Sequence, residues 1–172
     1  MISSLKKVFI ILLPITLFYI TACKQEKSFQ FIPEKVTNFS ATDVHGDSVS
    51  YQDLKGKITL VYFSASWCPA CQMDAPKLKR LYKEYAPKGL RILLIDVDNS
   101  PADMIKYQAV AKYPYPILFQ NKNVLEYFGN PMAVPSYFLI NAKNNIFWRH
   151  IGMLQETEFI QELDSTLVTE KP

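Results

Sequence analysis

Two cysteines separated by two residues, Cys68 and Cys71, are the side chains of this sequence best suited to chemistry. Such a pair can exchange electrons with the thiols of another protein by forming and breaking a disulfide. The pair follows an apolar run, 58–63, and precedes a helix-like stretch, 73–85, so it is predicted to lie at a strand-to-helix turn. Positions i and i+3 share a face in a first helical turn, which lets the two Cα atoms approach the roughly 5.5 Å that a disulfide prefers.

The predicted position at a helix N-terminus also distinguishes the two sulfurs. Unpaired backbone N–H groups and the helix dipole favour a thiolate there, and such sites lower a cysteine pKa from about 8.5 into the range of roughly 3.5 to 7.5. We therefore expect Cys68 to be the nucleophile. Cys71, one turn deeper, is expected to be more buried and to resolve the mixed disulfide that Cys68 forms with a client protein.

A zinc half-site and a purely structural disulfide are the alternatives for this pair. A tetrahedral zinc site needs about four ligands, and the remaining candidates, Cys23, His45 and His150, are scattered without paired spacing. We therefore expect neither a metal nor another cofactor. The structural disulfide remains open from spacing alone.

The N-terminus predicts targeting to a membrane. Residues 1–9 carry Lys6 and Lys7 and no acid, and the predominantly apolar segment 8–22, 15 residues long, ends at Cys23. The pattern resembles a bacterial lipoprotein signal, in which the peptide is cut before a cysteine that is then lipidated. Because a membrane-spanning helix needs roughly 20 residues, a cleaved signal is favoured over an uncleaved transmembrane anchor.

These segments predict the domain organisation and the compartment. We expect a signal peptide at 1–22, a tether at 23–31 and one domain at 32–172, held by lipid on the periplasmic face or the surface of a bacterial membrane. Such compartments tolerate disulfides, yet Cys68 and Cys71 would be the only thiols left after lipidation, which favours chemistry over stapling. Removal of Lys6 and Lys7 leaves 17 basic and 16 acidic residues, a net charge of +1, which gives no electrostatic basis for nucleic acid binding.

The rest of the chain reads as an alternation of strands and helices around this motif. A strand at 58–63, a helix after the cysteines and a buried strand at 90–97 predict a parallel pair with a right-handed crossover. The other predicted elements are a hairpin within 38–50, a helix at 101–112, a short strand at 117–120, a helical turn at 124–128, a hairpin with strands at 137–140 and 146–149, and an amphipathic helix at 156–167.

From about Asn38 to Leu167 the chain resembles the TlpA/ResA family of membrane-anchored, thioredoxin-like thiol-disulfide oxidoreductases. The matching segments are Asn38-Phe39 with Asp43 and Gly46, then 53–57, 62–71, 76–78 and 134–140. The resemblance implies an α/β thioredoxin-like fold, in which a central mixed sheet is flanked by helices, with an N-terminal hairpin and a central helix-strand insertion. It also implies a cis Val134–Pro135 bond facing the disulfide, which leaves the Val134 backbone free to pair with an extended client.

Two further side chains are expected to take part in the site, and a third departs from the pattern of thioredoxins proper. Asp74 stands where this family often has a glutamate, three residues after the second cysteine, and can accept or relay the proton of Cys71. The alternative is a solvated carboxylate on the helix surface. Trp67 is expected in the apolar rim around Cys68. Tyr62 occupies the place where thioredoxins proper usually carry a buried aspartate.

The predicted function is reduction of protein disulfides outside the cytoplasm. The expected partners are client proteins that contain disulfides, with apocytochrome c as one candidate, and a membrane thiol that donates electrons. A disulfide oxidase or isomerase remains the nearest alternative, since the reduction potential cannot be read from the motif. A thiol peroxidase is disfavoured because Ala65 replaces the hydroxyl residue three positions before the attacking cysteine, and a copper chaperone is disfavoured because such relatives use CxxxC with a distal histidine.

Overall fold

The computed structural model describes residues 35–131 and 133–169. The described chain opens with an antiparallel pair, β1 (Ser40–Thr42) and β2 (Ser48–Ser50). Their turn is held by Asp43, whose Oδ1 accepts the backbone N–H groups of His45 and Asp47 at 2.8 and 3.0 Å. A four-residue helix, α1 (Tyr51–Leu54), follows and leads toward the central sheet.

Five strands form the central mixed sheet in the order β5-β4-β3-β6-β7. The strands are β3 (Ile58–Ser64), β4 (Leu90–Asp96), β5 (Ile117–Phe119), β6 (Ser136–Asn141) and β7 (Ile146–Ile151). The β3–β4 and β4–β5 pairs are parallel, whereas β6 runs antiparallel to both of its neighbours. The sheet is covered on both faces, so every residue of β3 is buried, which explains its continuous apolar run.

Four longer helices accompany these strands: α2 (Pro69–Tyr85), α3 (Pro101–Ala111), α4 (Lys122–Tyr127) and α5 (Glu156–Thr169). A 3₁₀ turn, Ala86–Lys88, extends α2 toward β4. The order of elements confirms the predicted thioredoxin-like architecture, including the N-terminal hairpin and the inserted α3–β5 unit. Helix α4 begins earlier than predicted because the Asn121 side chain caps it by accepting the Val124 N–H at 3.0 Å.

The two faces of the sheet carry separate hydrophobic clusters. Alternate residues of β3 point to opposite faces, so Ile58, Leu60 and Tyr62 join one cluster, while Val61 and Phe63 join the other. Helices α2, α3 and α5 contribute buried side chains to the first cluster, and the N-terminal segment, α1 and α4 contribute to the second. Tyr62 therefore lies directly beneath α2.

The strand directions bring three chain segments to one edge of the sheet. Residue Ser64 at the end of β3 pairs with Asp96 at the end of the parallel strand β4. The antiparallel strand β6 starts at the same edge, where Ser136 pairs with Phe63. The cysteine motif after β3, the loop after β4 and the loop before β6 consequently meet at the carboxyl end of β3, where open α/β sheets carry their sites.

The predicted signal peptide, the tether and Cys23 lie outside the described residues. Within residues 35–131 and 133–169, no helix combines the length and the apolar character needed to cross a membrane.

Candidate active site

Cys68 and Cys71 form a disulfide across the first turn of α2, with their Cα atoms 5.3 Å apart. Cys68 is the N-cap residue, and its Sγ accepts the backbone N–H of Cys71 at 3.1 Å. Pro69 occupies the first helical position, where its missing N–H leaves no bond unmade. In the reduced protein the same N–H and the helix dipole are placed to stabilise a thiolate on Cys68, which is the arrangement predicted for the nucleophile.

The two cysteines are buried, whereas the residue before Cys68 is an exposed aromatic side chain. Cys68 is 3% exposed and Cys71 is 1% exposed, whereas the adjacent Trp67 is 63% exposed. Ile151 at the end of β7 and Met153 just after it are also exposed apolar side chains, on the segment that borders Pro135. A client that approaches Cys68 consequently meets apolar surface first.

The loop before β6 lies against the sulfurs. The Val134–Pro135 peptide bond is cis, as the resemblance implied, and the Val134 carbonyl oxygen is 3.7 Å from Cys68 Sγ. The Pro135 carbonyl accepts the Gly152 N–H at 2.9 Å, which ties this loop to the end of β7. Among the described residues, the backbone groups of Val134 have no backbone hydrogen-bond partner.

Asp74 is fully buried one turn after Cys71, so the alternative of a solvated surface carboxylate is wrong. Its Oδ1 accepts Lys77 Nζ at 2.8 Å, and its Oδ2 accepts both the Tyr137 hydroxyl and the Leu154 N–H at 2.7 Å. Three donors offset the cost of placing this carboxylate in the core. None of these partners is a sulfur, so Asp74 has no direct hydrogen bond to the dithiol among the described residues.

Two tyrosines lie beneath the first turn of α2. Tyr62 and Tyr137 are direct cross-strand neighbours, and their rings stack with centroids 4.9 Å apart and planes 4° apart. The Tyr62 hydroxyl donates a long hydrogen bond, 3.5 Å, to the Cys71 carbonyl oxygen. Burial raises the pKa of Tyr62 and of Tyr137, so both hydroxyls remain protonated at neutral pH.

The contacts of Tyr62 and the presence of Tyr137 in the site were not predicted from the sequence. Tyr62 was recognised only as standing where thioredoxins usually have an acid. The only signal in the sequence is a tyrosine at each position of what proves to be a cross-strand pair. The contacts depend on the register of β3 and β6, which the sequence does not state.

A pair of aspartates at the end of β4, Asp96 and Asp98, was also missed. The buried carboxylate of Asp98 accepts the Ser66 N–H with both oxygens, at 3.0 and 3.2 Å, and so fastens the loop that leads to Cys68. Asp96 Oδ1 in turn accepts the Asp98 N–H at 3.1 Å. Burial, together with the adjacent charge of Asp98, raises the pKa of Asp96 to about 7. The signal available in the sequence was the presence of two aspartates, at positions 96 and 98, at the end of a buried strand.

Neither histidine has a hydrogen bond to the dithiol among the described residues. His150 Nε2 is 2.9 Å from the Met153 carbonyl, and its ring stacks on Trp148 with centroids 5.7 Å apart. His45 belongs to the β1–β2 turn. In the described part of the chain, no group of three or more His, Cys, Asp or Glu side chains gathers in a way that could hold a metal ion.

Known proteins of similar sequence are thioredoxin-like proteins and thiol-disulfide oxidoreductases. The model of the AhpC/TSA family matches residues 32–149. The chain is 30% identical over 149 residues to the thioredoxin-like protein YneN of Bacillus subtilis, an alignment that covers 85% of this chain and 86% of that protein. It is also 30% identical over 129 residues to the thiol-disulfide oxidoreductase ResA of Bacillus cereus, with coverage of 74% and 73%.

The fold has a solved counterpart as well. The crystal structure of a putative thiol:disulfide interchange protein DsbE from Chlorobium tepidum superposes with a TM-score of 0.72 and covers 80% of this chain and 98% of that one. At 21% sequence identity, this likeness establishes the thioredoxin-like fold.

Proposed function

Because this chain belongs to the AhpC/TSA family and is a thioredoxin-like thiol-disulfide oxidoreductase, we propose that it reduces the disulfides of client proteins outside the cytoplasm. The observation that carries the proposal is the position of Val134 beside the dithiol. Its carbonyl oxygen is 3.7 Å from Cys68 Sγ, and its backbone groups have no backbone hydrogen-bond partner among the described residues. An extended client segment can pair with this backbone as an added strand, which sets a client disulfide against Cys68.

The exchange proceeds in two displacements. The Cys68 thiolate attacks one sulfur of the client disulfide, and the other client sulfur leaves as a thiolate. Cys71 then attacks Cys68, so the Cys68–Cys71 bond forms as the bond between Cys68 and the client breaks. The enzyme dithiol is thereby oxidised and the client gains two electrons. A membrane thiol of lower potential returns the enzyme to its dithiol form.

We place this reaction at a membrane surface by way of a lipidated Cys23. The apolar segment 8–22 followed by Cys23 supports this placement. Apocytochrome c, which needs two reduced cysteines before haem is attached, is our candidate client.

Substitution of the resolving thiol tests the reaction and its client together. Cys71→Ser is expected to leave Cys68 joined to the client, because the second displacement can no longer occur. The Cys68→Ser, Cys71→Ser double variant is the control and is expected to trap nothing. Recovery of apocytochrome c, identified by mass spectrometry after reduction of the trapped adduct, supports the candidate client. Adducts that consist only of other proteins contradict it, and the absence of any adduct contradicts the reductase.

The direction of electron flow is tested by the reduction potential of the Cys68/Cys71 pair. Thioredoxin lies at about −270 mV, whereas the oxidase DsbA lies at about −120 mV. Equilibration with glutathione buffers of stated ratio measures the potential. A value near that of thioredoxin supports a reductase, and a value near that of DsbA replaces it with the oxidase.

A further inference from the structure

We propose that Tyr62 and Tyr137 are positioning residues for the resolving step, which hold the Asp74 carboxylate where it receives the proton of Cys71. The inference rests on the proposed function, because the resolving step exists only in a thiol-disulfide exchange. It adds two side chains to the site that act on the second displacement and leave the first untouched.

The hydrogen bonds of the pair reach both ends of one helical turn. Tyr137 donates its hydroxyl proton to Asp74 Oδ2 at 2.7 Å, and Tyr62 donates to the Cys71 carbonyl oxygen at 3.5 Å. The rings stack nearly parallel with their centroids 4.9 Å apart, so a movement of one ring would displace the other. The pair therefore fixes Cys71 and Asp74 relative to each other from below.

The hydrogen bonds that the Asp74 carboxylate accepts leave one of its acceptor sites open to a proton. Among the described residues, Oδ2 accepts two hydrogen bonds, from Tyr137 and the Leu154 N–H, while Oδ1 accepts one, from Lys77. A carboxylate oxygen has two acceptor sites, so Oδ1 retains a free one. Loss of the Tyr137 bond would remove one of the three hydrogen bonds that hold the carboxylate against rotation about its last torsion.

The surroundings explain why the hydroxyls donate. Burial raises the pKa of both tyrosines, so at neutral pH neither is a phenolate that would repel Asp74. The other titratable or charged side chains that face the pair come from four elements: Lys77 of α2, Tyr107 of α3, Tyr113 and Tyr115 before β5, and His150 of β7. Lys77 is the one cation in this group with a hydrogen bond to Asp74.

The Cys71 thiol transfers its proton to Asp74 Oδ1 and becomes a thiolate. The thiolate attacks the Cys68 sulfur of the mixed disulfide, the Cys68–Cys71 bond forms, and the client sulfur leaves with the electron pair of the broken bond. Asp74 then releases its proton to the departing thiolate or to water.

A two-phase release assay tests the inference. Reduced full-length protein is mixed in a stopped-flow instrument with an aromatic disulfide whose thiolate product is coloured. The first release reports attack by Cys68, and the second reports resolution by Cys71. Tyr137→Phe removes only the hydroxyl that donates to Asp74. We expect it to slow the second release about tenfold at pH 7, because a hydrogen bond to a charged group contributes at least the free energy that corresponds to a tenfold change.

The pH profile and the controls separate positioning from packing. In Tyr137→Phe, the plot of second-release rate against pH is expected to shift to higher pH by about one unit, which is equivalent to a tenfold loss of rate at a fixed pH. The rate of the first release is expected to be unchanged. Tyr62→Phe is expected to slow the second release by a smaller factor, since its bond is longer. The matched control is Tyr115→Phe, which removes a buried hydroxyl that has no hydrogen-bond partner among the described residues.

A double-variant cycle completes the test. If Tyr137 acts through Asp74, Tyr137→Phe has no further effect on the second release once Asp74→Asn is present. A second release that is unchanged in Tyr137→Phe, or that is slowed equally by Tyr115→Phe, overturns the inference. A wild-type protein that gives no coloured release at all contradicts the proposed function instead, so the two failures are distinguishable.

Discussion

Asp96→Asn is expected to stabilise the folded protein at pH 8 and to leave its stability at pH 4 unchanged. Asp96 is 2% exposed, and burial with the charge of Asp98 raises its pKa from 3.8 to about 7. Asparagine has nearly the shape of the protonated acid and keeps an oxygen that accepts the Asp98 N–H. The substitution therefore removes the ionisation and little else.

The direction of the change in stability follows from whether Asp96 binds a proton in the folded and in the unfolded chain. Below about pH 4, Asp96 is protonated both in the folded and in the unfolded chain, so it costs the folded state nothing. Between about pH 4 and pH 7 the unfolded chain loses the proton while the folded chain retains it, so the free energy of unfolding falls as pH rises. Above about pH 7 the full penalty applies. A pKa difference of this size corresponds to up to about 4 kcal/mol, and we expect about 2 kcal/mol after relaxation and solvent screening.

Urea unfolding of the oxidised protein at pH 4, 6 and 8, followed by circular dichroism, measures this difference. Asp47→Asn, the same change at an exposed position in the β1–β2 turn, is the matched control and should shift the free energy of unfolding by less than about 0.5 kcal/mol. An Asp96→Asn variant no more stable than the wild type at pH 8 would refute this reasoning. So would a difference that is the same at all three pH values, since ionisation would then have no part in it.

The remaining predictions concern packing, reactivity and processing. Gly56→Ala should lower the free energy of unfolding by about 2 kcal/mol, because its Cβ would collide with the Gly89 carbonyl oxygen; an unchanged urea midpoint would contradict this. Alkylation of the reduced protein should modify Cys68 faster than Cys71 at pH 6, as peptide mass spectrometry would show, and equal rates would count against the helix-terminus argument. Cys23→Ser should abolish incorporation of labelled fatty acid, whereas a native protein that keeps its initiator methionine would disprove lipidation.

Much of the fold was predictable because its signals are local. The apolar run of β3, the helix after it and the buried run of β4 each follow from residues adjacent in sequence, and short-range periodicity reports their type. The bounds of α4 were wrong by two residues at its start, because its cap is one side chain, Asn121, whose contact the periodicity does not include.

The sequence by itself determined the reactive pair, since the separation of Cys68 and Cys71 is set by one helical turn whatever the rest of the chain does. Only the tertiary structure decided the environment of that pair. Asp74 meets Tyr137, 63 positions away, because β6 pairs with β3 in one particular register. It also accepts the N–H of Leu154, 80 positions away. A slip of one residue in that register would turn Tyr137 to the opposite face of the sheet and leave the buried carboxylate without its hydroxyl partner.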